Sequence, residues 1–300
     1  MNKSFVSVIC SMFFLVSCSR FVSVKSDPAP YLASLPEHTG GRLVGFTQKD
    51  FSDCDNGFYV YLPDGWDSSG IHYPTIVWYC GHNGIGDSRE DPKELAKMLL
   101  NGIPKLIKED RWKPLAPFIV IIPQARWRDP AKRDSYIYSS DNIKFWTSLY
   151  QQFPIDRQRM YLTGHSDGGG VVYWIVGHGG DRAFFAAAVP VSGNAFDFII
   201  PKDRSKIIRG MSRTPLWLFH GKGDNFVPLY MSVDVITEMR ALRDRPYEVK
   251  LTVFSELGHF CNDEIFLPDM KVKTEAQWDP YDQDIYSWML QYERVRSDGL

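Results

Sequence analysis

Between residues 58 and 254 the chain alternates short runs that are apolar at nearly every position with longer stretches in which apolar residues recur every three or four. The runs are FYVYLP (58–63), TIVWYC (75–80), FIVIIP (118–123), RMYLTG (159–164), FAAAVPVSG (185–193), PLWLFHG (215–221) and VKLTVF (249–254). A strand apolar on both faces needs cover on both faces, which a parallel sheet flanked by helices provides. The intervening stretches carry helix signals. Asp141 stands where an N-cap would, ahead of Ile143, Trp146, Tyr150 and Phe153 on one face. Pro228 opens a second helix, with Leu229, Val233, Ile236 and Met239 along one side. Strands alternating with helices predict right-handed βαβ crossovers and an α/β fold with a mainly parallel sheet. In such sheets the chemistry sits at the carboxyl ends of the strands.

Composition narrows this further. The 300 residues, 44% hydrophobic and 14% aromatic, suffice for one large core, and no internal repeat interrupts residues 40–295. A formal charge of −2 with no basic block excludes a nucleic-acid-binding role.

The first residues read as a targeting segment. A cationic start, Met1–Ser4, leads into FVSVICSMFFLV, a run too short to span a bilayer as a mature helix. It ends in Leu15-Val16-Ser17-Cys18, which resembles a bacterial lipobox. The resemblance implies a signal peptide over 1–17, acylation of Cys18, and a lipid anchor that holds the protein on the cell envelope, with Ser19 leaning towards the outer membrane. Cleavage nearby without lipidation is the alternative. Residues 18–40, rich in Ser and Pro, read as the lipidated N-terminus and tether, and 41–300 as the folded domain. Cys54, Cys80 and Cys261 remain in that domain, open either to one disulfide or to burial as free thiols. No Cys/His spacing suggests a metal site.

Four segments carry the candidate chemistry. Gly164-His165-Ser166-Asp167-Gly168 fits G-x-S-x-G between a strand and a glycine-rich helix start, the sharp turn that frees a serine hydroxyl towards a base. The same turn puts the backbone N–H of Asp167 at a helix N-terminus, aimed at an oxygen that becomes negative during acyl transfer. The loop Gly81-His82-Asn83-Gly84, after a buried strand, offers the second oxyanion donor at the His82 N–H, with Asn83 next. Asp224, between a buried strand and the Pro228 helix, is the candidate acid, and Asp197 the reserve. His259, in LGHF after the last clear strand, is the candidate base, and the order Ser, Asp, His is that of α/β-hydrolases. His165, His178 and His220 read as structural.

Taken together, YCGHNGIG, TGHSDGGG, FHGKGDNFVP and LGHF, with NGIPKLIKED and IVIIPQARW, are similar to the carboxylesterase branch of the α/β-hydrolases that includes polyhydroxybutyrate-depolymerase-like, feruloyl-esterase-like and "predicted peptidase" proteins. The resemblance spans roughly residues 55–292 and implies a single-domain α/β-hydrolase fold and a serine esterase without cofactor. Two departures stand out. Asp167 puts a carboxylate beside the developing oxyanion, which opposes catalysis unless that side chain is turned away or paired. The 80–86 loop starts Cys-Gly-His rather than His-Gly-X.

For substrate, the loop Gln124–Arg128 follows a strand on the catalytic edge, so Trp127 is expected to stack on a sugar or aromatic acyl group while Arg126 or Arg128 meets a carboxylate or hydroxyls. An extracellular ester is the expected substrate class, with acyl groups on polysaccharide as the candidate. A serine peptidase of the same fold and a catalytically silent ligand-binding homologue are the rival readings.

Overall fold

The computed structural model describes residues 20–54, 56–89, 91–126, 143–199, 201–268 and 270–297. The described residues form ten strands: β1 (Phe21–Lys25), β2 (Gly41–Phe46), β3 (Phe58–Pro63), β4 (Tyr73–Tyr79), β5 (Ile119–Pro123), β6 (Ile155–His165), β7 (Ala187–Val191), β8 (Leu216–Gly221), β9 (Val249–Phe254) and β10 (Tyr292–Arg296). The α-helices described are α1 (Ala29–Ser34), α2 (Gly102–Lys108), α3 (Ile143–Gln152), α4 (Asp167–Gly179), α5 (Ala195–Phe198), α6 (Arg204–Met211), α7 (Tyr230–Ala241), α8 (Asn262–Ile265) and α9 (Ile285–Leu290).

Eight strands form one sheet in the order β2-β3-β5-β4-β6-β7-β8-β9. β2 and β3 are antiparallel to their neighbours, and from β5 to β9 every pair is parallel. All seven apolar runs lie in this sheet, and β3 and β9 begin and end where the pattern places them. Both faces are covered. Alternate residues of β4 feed two separate cores: Tyr73, Val77 and Tyr79 join one, Ile76 and Trp78 the other. The helix expected after Asp141 is α3, although Asp141 itself lies outside the described residues. The helix expected at Pro228 begins two residues later, at Tyr230.

The N-terminal segment departs from the expectation. Residues 21–25, within the stretch read as a tether, pair antiparallel with β10 as a separate two-stranded sheet. The Ser23 hydroxyl donates to Ala186 O at 2.8 Å, and Tyr31 of α1 donates to Asp156 at 3.0 Å. Serine and proline content misled here because a strand needs only a partner for its N–H and C=O groups, and that partner, Phe21 against Arg296, stands at the other end of the chain. Among the described residues no helix is long and apolar enough to cross a membrane.

Candidate active site

β6 delivers the serine. Ser166 follows directly on β6 and caps α4 with φ 59° and ψ −120°, a conformation that costs a non-glycine residue on the order of 1–3 kcal/mol. The surroundings hold it there: Ser166 N–H donates to Val191 O, and Asn194 N–H and Gly170 N–H donate to Ser166 O, each at 3.0 Å. The run of glycines after the serine has a steric cause. A Cβ on Gly168 would lie 2.1 Å from the Tyr79 carbonyl oxygen, so only glycine lets α4 start this close to the end of β4.

Three remote segments meet at that serine. The Ser166 hydroxyl lies 3.0 Å from His259 Nε2, and His259 Nδ1 lies 2.8 Å from Asp224 Oδ2. A carboxylate only accepts, so Nδ1 carries the proton and Nε2 presents its lone pair to the hydroxyl. Asp224 Oδ1 accepts from the N–H groups of Phe226 (2.9 Å) and Val227 (2.8 Å). Burial pushes the Asp224 carboxyl upward, but the hydrogen bonds from His220, His259 and these two amides outweigh it and hold the group well below the usual carboxylate range. Asp197, the reserve acid, sits on α5 and accepts from Asn194 Nδ2 at 2.8 Å.

The backbone segments that carry the expected oxyanion donors both lie beside Ser166. Gly81 is extended and His82 opens a single 3₁₀ turn, His82–Gly84. A Cβ on Gly81 would lie 3.0 Å from Ser166 Cβ, so this loop backbone lies against the serine. Asn56 and Gln124 brace the loop: Asn56 Nδ2 donates to Gly86 O at 2.9 Å, and Gln124 Nε2 donates to Gly84 O at 3.5 Å. Asp167 opens α4, and its side chain is buried. Its Oδ1 accepts from Asn194 Nδ2 at 2.9 Å, and its Oδ2 lies 3.9 Å from His82 Nδ1. The carboxylate is thus held on the α5 side by an asparagine whose amide also binds Asp197.

These groups open into a cavity of about 440 Å³ lined by Ser166, His259, His82, Asn83, Asp167 and Asp197, with Phe196, Phe226 and Phe260 at its rim. The three phenylalanines are 75%, 74% and 49% exposed, an apolar border that a folded monomer does not need for its own core. Arg126 is not among the lining residues and stands near Asp87, whose carboxyl it helps to lower. Trp127 and Arg128 lie outside the described residues, as does Cys18. No disulfide joins Cys54, Cys80 or Cys261 to one another, and burial pushes Cys80 and Cys261 up to about 12, out of the nucleophilic range. Among the described residues no group of three or more His, Cys, Asp or Glu converges to hold a metal ion.

Two histidines gain roles that the sequence left open. His165 Nε2 donates to the His259 carbonyl at 2.7 Å, and the two rings lie 4.5 Å apart. Burial, then the neighbouring His259, pulls His165 down to about 3, so it stays neutral beside the base. His220 sits 3.3 Å from Asp224 Oδ2. The signal for it was present in FHGKGD, where a histidine at a strand end precedes the acid by four residues, but the same pattern serves a buried structural histidine equally well.

Comparison with known proteins agrees on architecture. The prolyl oligopeptidase family matches residues 126–201, about a quarter of the chain. No curated protein sequence matches. Among solved structures, a thermostable esterase aligns at 15% identity with a TM-score of 0.53, over 85% of this chain and 64% of its own, so this chain spans less than two thirds of that protein. FphF, a fluorophosphonate-binding serine hydrolase of Staphylococcus aureus, aligns at 18% identity with a TM-score of 0.53, over 76% of this chain and 96% of its own. A truncated carbohydrate esterase from gut microbiota aligns at 16% identity with a TM-score of 0.52, over 79% and 96%. Sheet order, elbow and comparisons together make this chain an α/β-hydrolase-fold protein in which Ser166, His259 and Asp224 stand in hydrogen-bonded series.

Proposed function

We propose that the protein is a serine carboxylic-ester hydrolase working through an acyl-enzyme. The observation that carries this reading is the unbroken series Ser166 Oγ to His259 Nε2 (3.0 Å) and His259 Nδ1 to Asp224 Oδ2 (2.8 Å), opening into a cavity. Ser166 attacks the ester carbonyl while His259 takes its proton, and Asp224 stabilises the imidazolium without itself being protonated. The Asp167 and His82 amides receive the oxyanion. His259 then passes the proton to the departing alcohol, and water, activated by the same imidazole, releases the acid. The polysaccharide ester remains the favoured natural substrate, supported by the carbohydrate esterase among the structural relatives.

The family match over residues 126–201 favours a second reading, a serine peptidase. One experiment separates them: fluorophosphonate labelling of wild type and Ser166→Ala, followed by matched ester and anilide substrates. Ester turnover lost with Ser166 supports the esterase. Equal or faster anilide turnover supports the peptidase. No label and no turnover would leave a ligand-binding homologue.

We also propose that Cys18 is acylated and holds the protein on the cell envelope, probed by radiolabelled fatty-acid incorporation into wild type and Cys18→Ala. β1 starts three residues after Cys18, and its Ser23 hydroxyl donates to Ala186 O at the amino end of β7. An anchor there turns the catalytic edge away from the bilayer, which suits a substrate arriving from outside.

A further inference from the structure

Behind the catalytic acid the hydrogen-bonded series continues. His220, at the end of β8, places Nε2 2.8 Å from Val227 O and 3.3 Å from Asp224 Oδ2. Its Nδ1 lies 2.8 Å from the hydroxyl of Ser232, in the first turn of α7. Both residues are fully buried. A carbonyl oxygen cannot donate, so Nε2 of His220 must carry a hydrogen, and that hydrogen is shared between Val227 O and the carboxylate. In the neutral ring Nδ1 is then the acceptor, and Ser232 donates to it. Five side chains thus run in line, from Ser166 through His259, Asp224 and His220 to Ser232.

We propose that His220 and Ser232 are positioning residues for the reaction: together they hold the Asp224 carboxylate in the rotamer that receives the His259 N–H. The inference rests on the serine-hydrolase reading. The loop at 224–227 supplies two amides to Oδ1 and none to the far side of Oδ2. That side is closed to water, since the side chains of His220 and Asp224 are both 0% exposed. Without His220 that oxygen loses the donor on this side, and the carboxylate would be free to turn about its last bond. Ser232 acts one step further back. It selects the ring tautomer, because the opposite tautomer would aim a lone pair at the Val227 carbonyl and at the carboxylate together. The other titratable groups within electrostatic reach of Asp224 are His259, His165 and Cys261.

The test compares wild type with His220→Phe, His220→Gln and Ser232→Ala, reading kcat, KM, the acid limb of kcat/KM against pH, and the ¹³C-histidine NMR titration of His259. His220→Phe is expected to lower kcat about 10–100-fold with KM nearly unchanged, and to move the His259 titration upward, since a carboxylate with one donor fewer binds a proton more tightly. His220→Gln, which keeps an N–H donor, restores most of the rate. Ser232→Ala shows the same direction at about 3–10-fold, and costs little in a His220→Gln background because the two act through one bond. Ser232→Ala carries the test alone should His220→Phe fail to fold. An unmoved His259 titration and unchanged kcat in Ser232→Ala overturn the proposal, and so does a His220→Gln variant as slow as His220→Phe. The NMR arm reads the Asp224–His259 pair without turnover, so absence of ester hydrolysis in wild type defeats the esterase reading while leaving this one decidable.

Discussion

The two edges of the sheet are built on opposite terms. At the carboxyl edge the backbone is strained at Ser166, a buried histidine is kept neutral, His165 Nδ1 finds no hydrogen-bond partner among the described residues, and phenylalanines stand in solvent. At the amino edge most buried polar groups are matched, with Arg159 Nε and Thr214 Oγ1 the exceptions among the described residues there. Arg294 of β10, 2% exposed, donates to Ala183 O, Arg213 O and the Ser23 hydroxyl at 2.8–3.1 Å, and Ser23 passes a hydrogen on to Ala186 O. Tyr161 donates to Tyr292 O, and Arg159 pairs with Glu293 while covering the ring of Tyr31. The difference teaches that one end of each strand stores the strain that chemistry uses, and the other end supplies the cohesion that tolerates it. Substitutions at the two edges should therefore separate activity from stability.

The largest effect belongs to Ser166→Ala, expected to lower kcat by about 10⁴-fold or more while leaving the thermal midpoint within about 2 °C. Loss of rate together with a collapse in melting temperature would erase the distinction between the edges. The mirror experiment is Arg294→Met. It strands several buried carbonyls and should cost about 3 kcal/mol in urea unfolding, with kcat per folded molecule within about twofold of wild type. A drop in kcat at unchanged stability would mean that the amino edge also governs the chemistry.

Acid sharpens the comparison. His165 has an ordinary value of 6.5 and a folded value of about 3, so below pH 6.5 the unfolded chain takes up a proton that the folded chain refuses. Stability should then fall as pH drops from 6.5 towards 3, by up to about 1.4 kcal/mol per unit from this group. Asp224 has a depressed folded value, so its contribution is complete above its ordinary 3.8 and is lost only as pH falls further, which separates the two windows. His165→Phe should flatten the loss between pH 6 and 4 measured by urea denaturation. An identical slope in the variant would assign the acid lability elsewhere. The smallest effect is Ser23→Ala at the amino edge, about 1 kcal/mol with unchanged activity. It still matters, because a true tether would show no effect at all.

What could be read from the chain follows the range of each signal. β3 was legible to the residue because its run is apolar on both faces and ends at Pro63, and β9, although an edge strand, because Lys250 and Thr252 alternate with Val249, Leu251 and Val253 in a period of two. β1, β2 and β10, spelled FVSVK, GRLVGF and YERVR, mix polar and apolar positions and lie at edges, where burial on one side leaves a weak pattern. The serine and the glycines around it were legible because their constraint is steric and local. Asn194, which holds the Asp167 carboxylate, carries no such mark, nor do the exposed phenylalanines at 196 and 226, which in one dimension look like any core residue. Arg126 shows another limit: topology puts its loop on the catalytic edge, but whether a long side chain joins the cavity lining, where Arg126 is not found, or acts on a neighbour such as Asp87 is set by packing.

The sequence by itself determined the order of the seven apolar strands from β3 to β9, the turn that bears Ser166, and the short list of partners in Ser, Asp, His order. These rest on periodicity, glycine sterics and turn chemistry, which act between residues a few positions apart. The tertiary structure alone decided which of the seven histidines lies 3.0 Å from the serine, which carboxylate receives its second nitrogen, that His220 and Ser232 stand behind that carboxylate, and that residue 21 closes against residue 296. The physical reason is that a hydrogen bond is won or lost within a few tenths of an ångström, between atoms brought together by the packing of the whole sheet rather than by their neighbours in the chain.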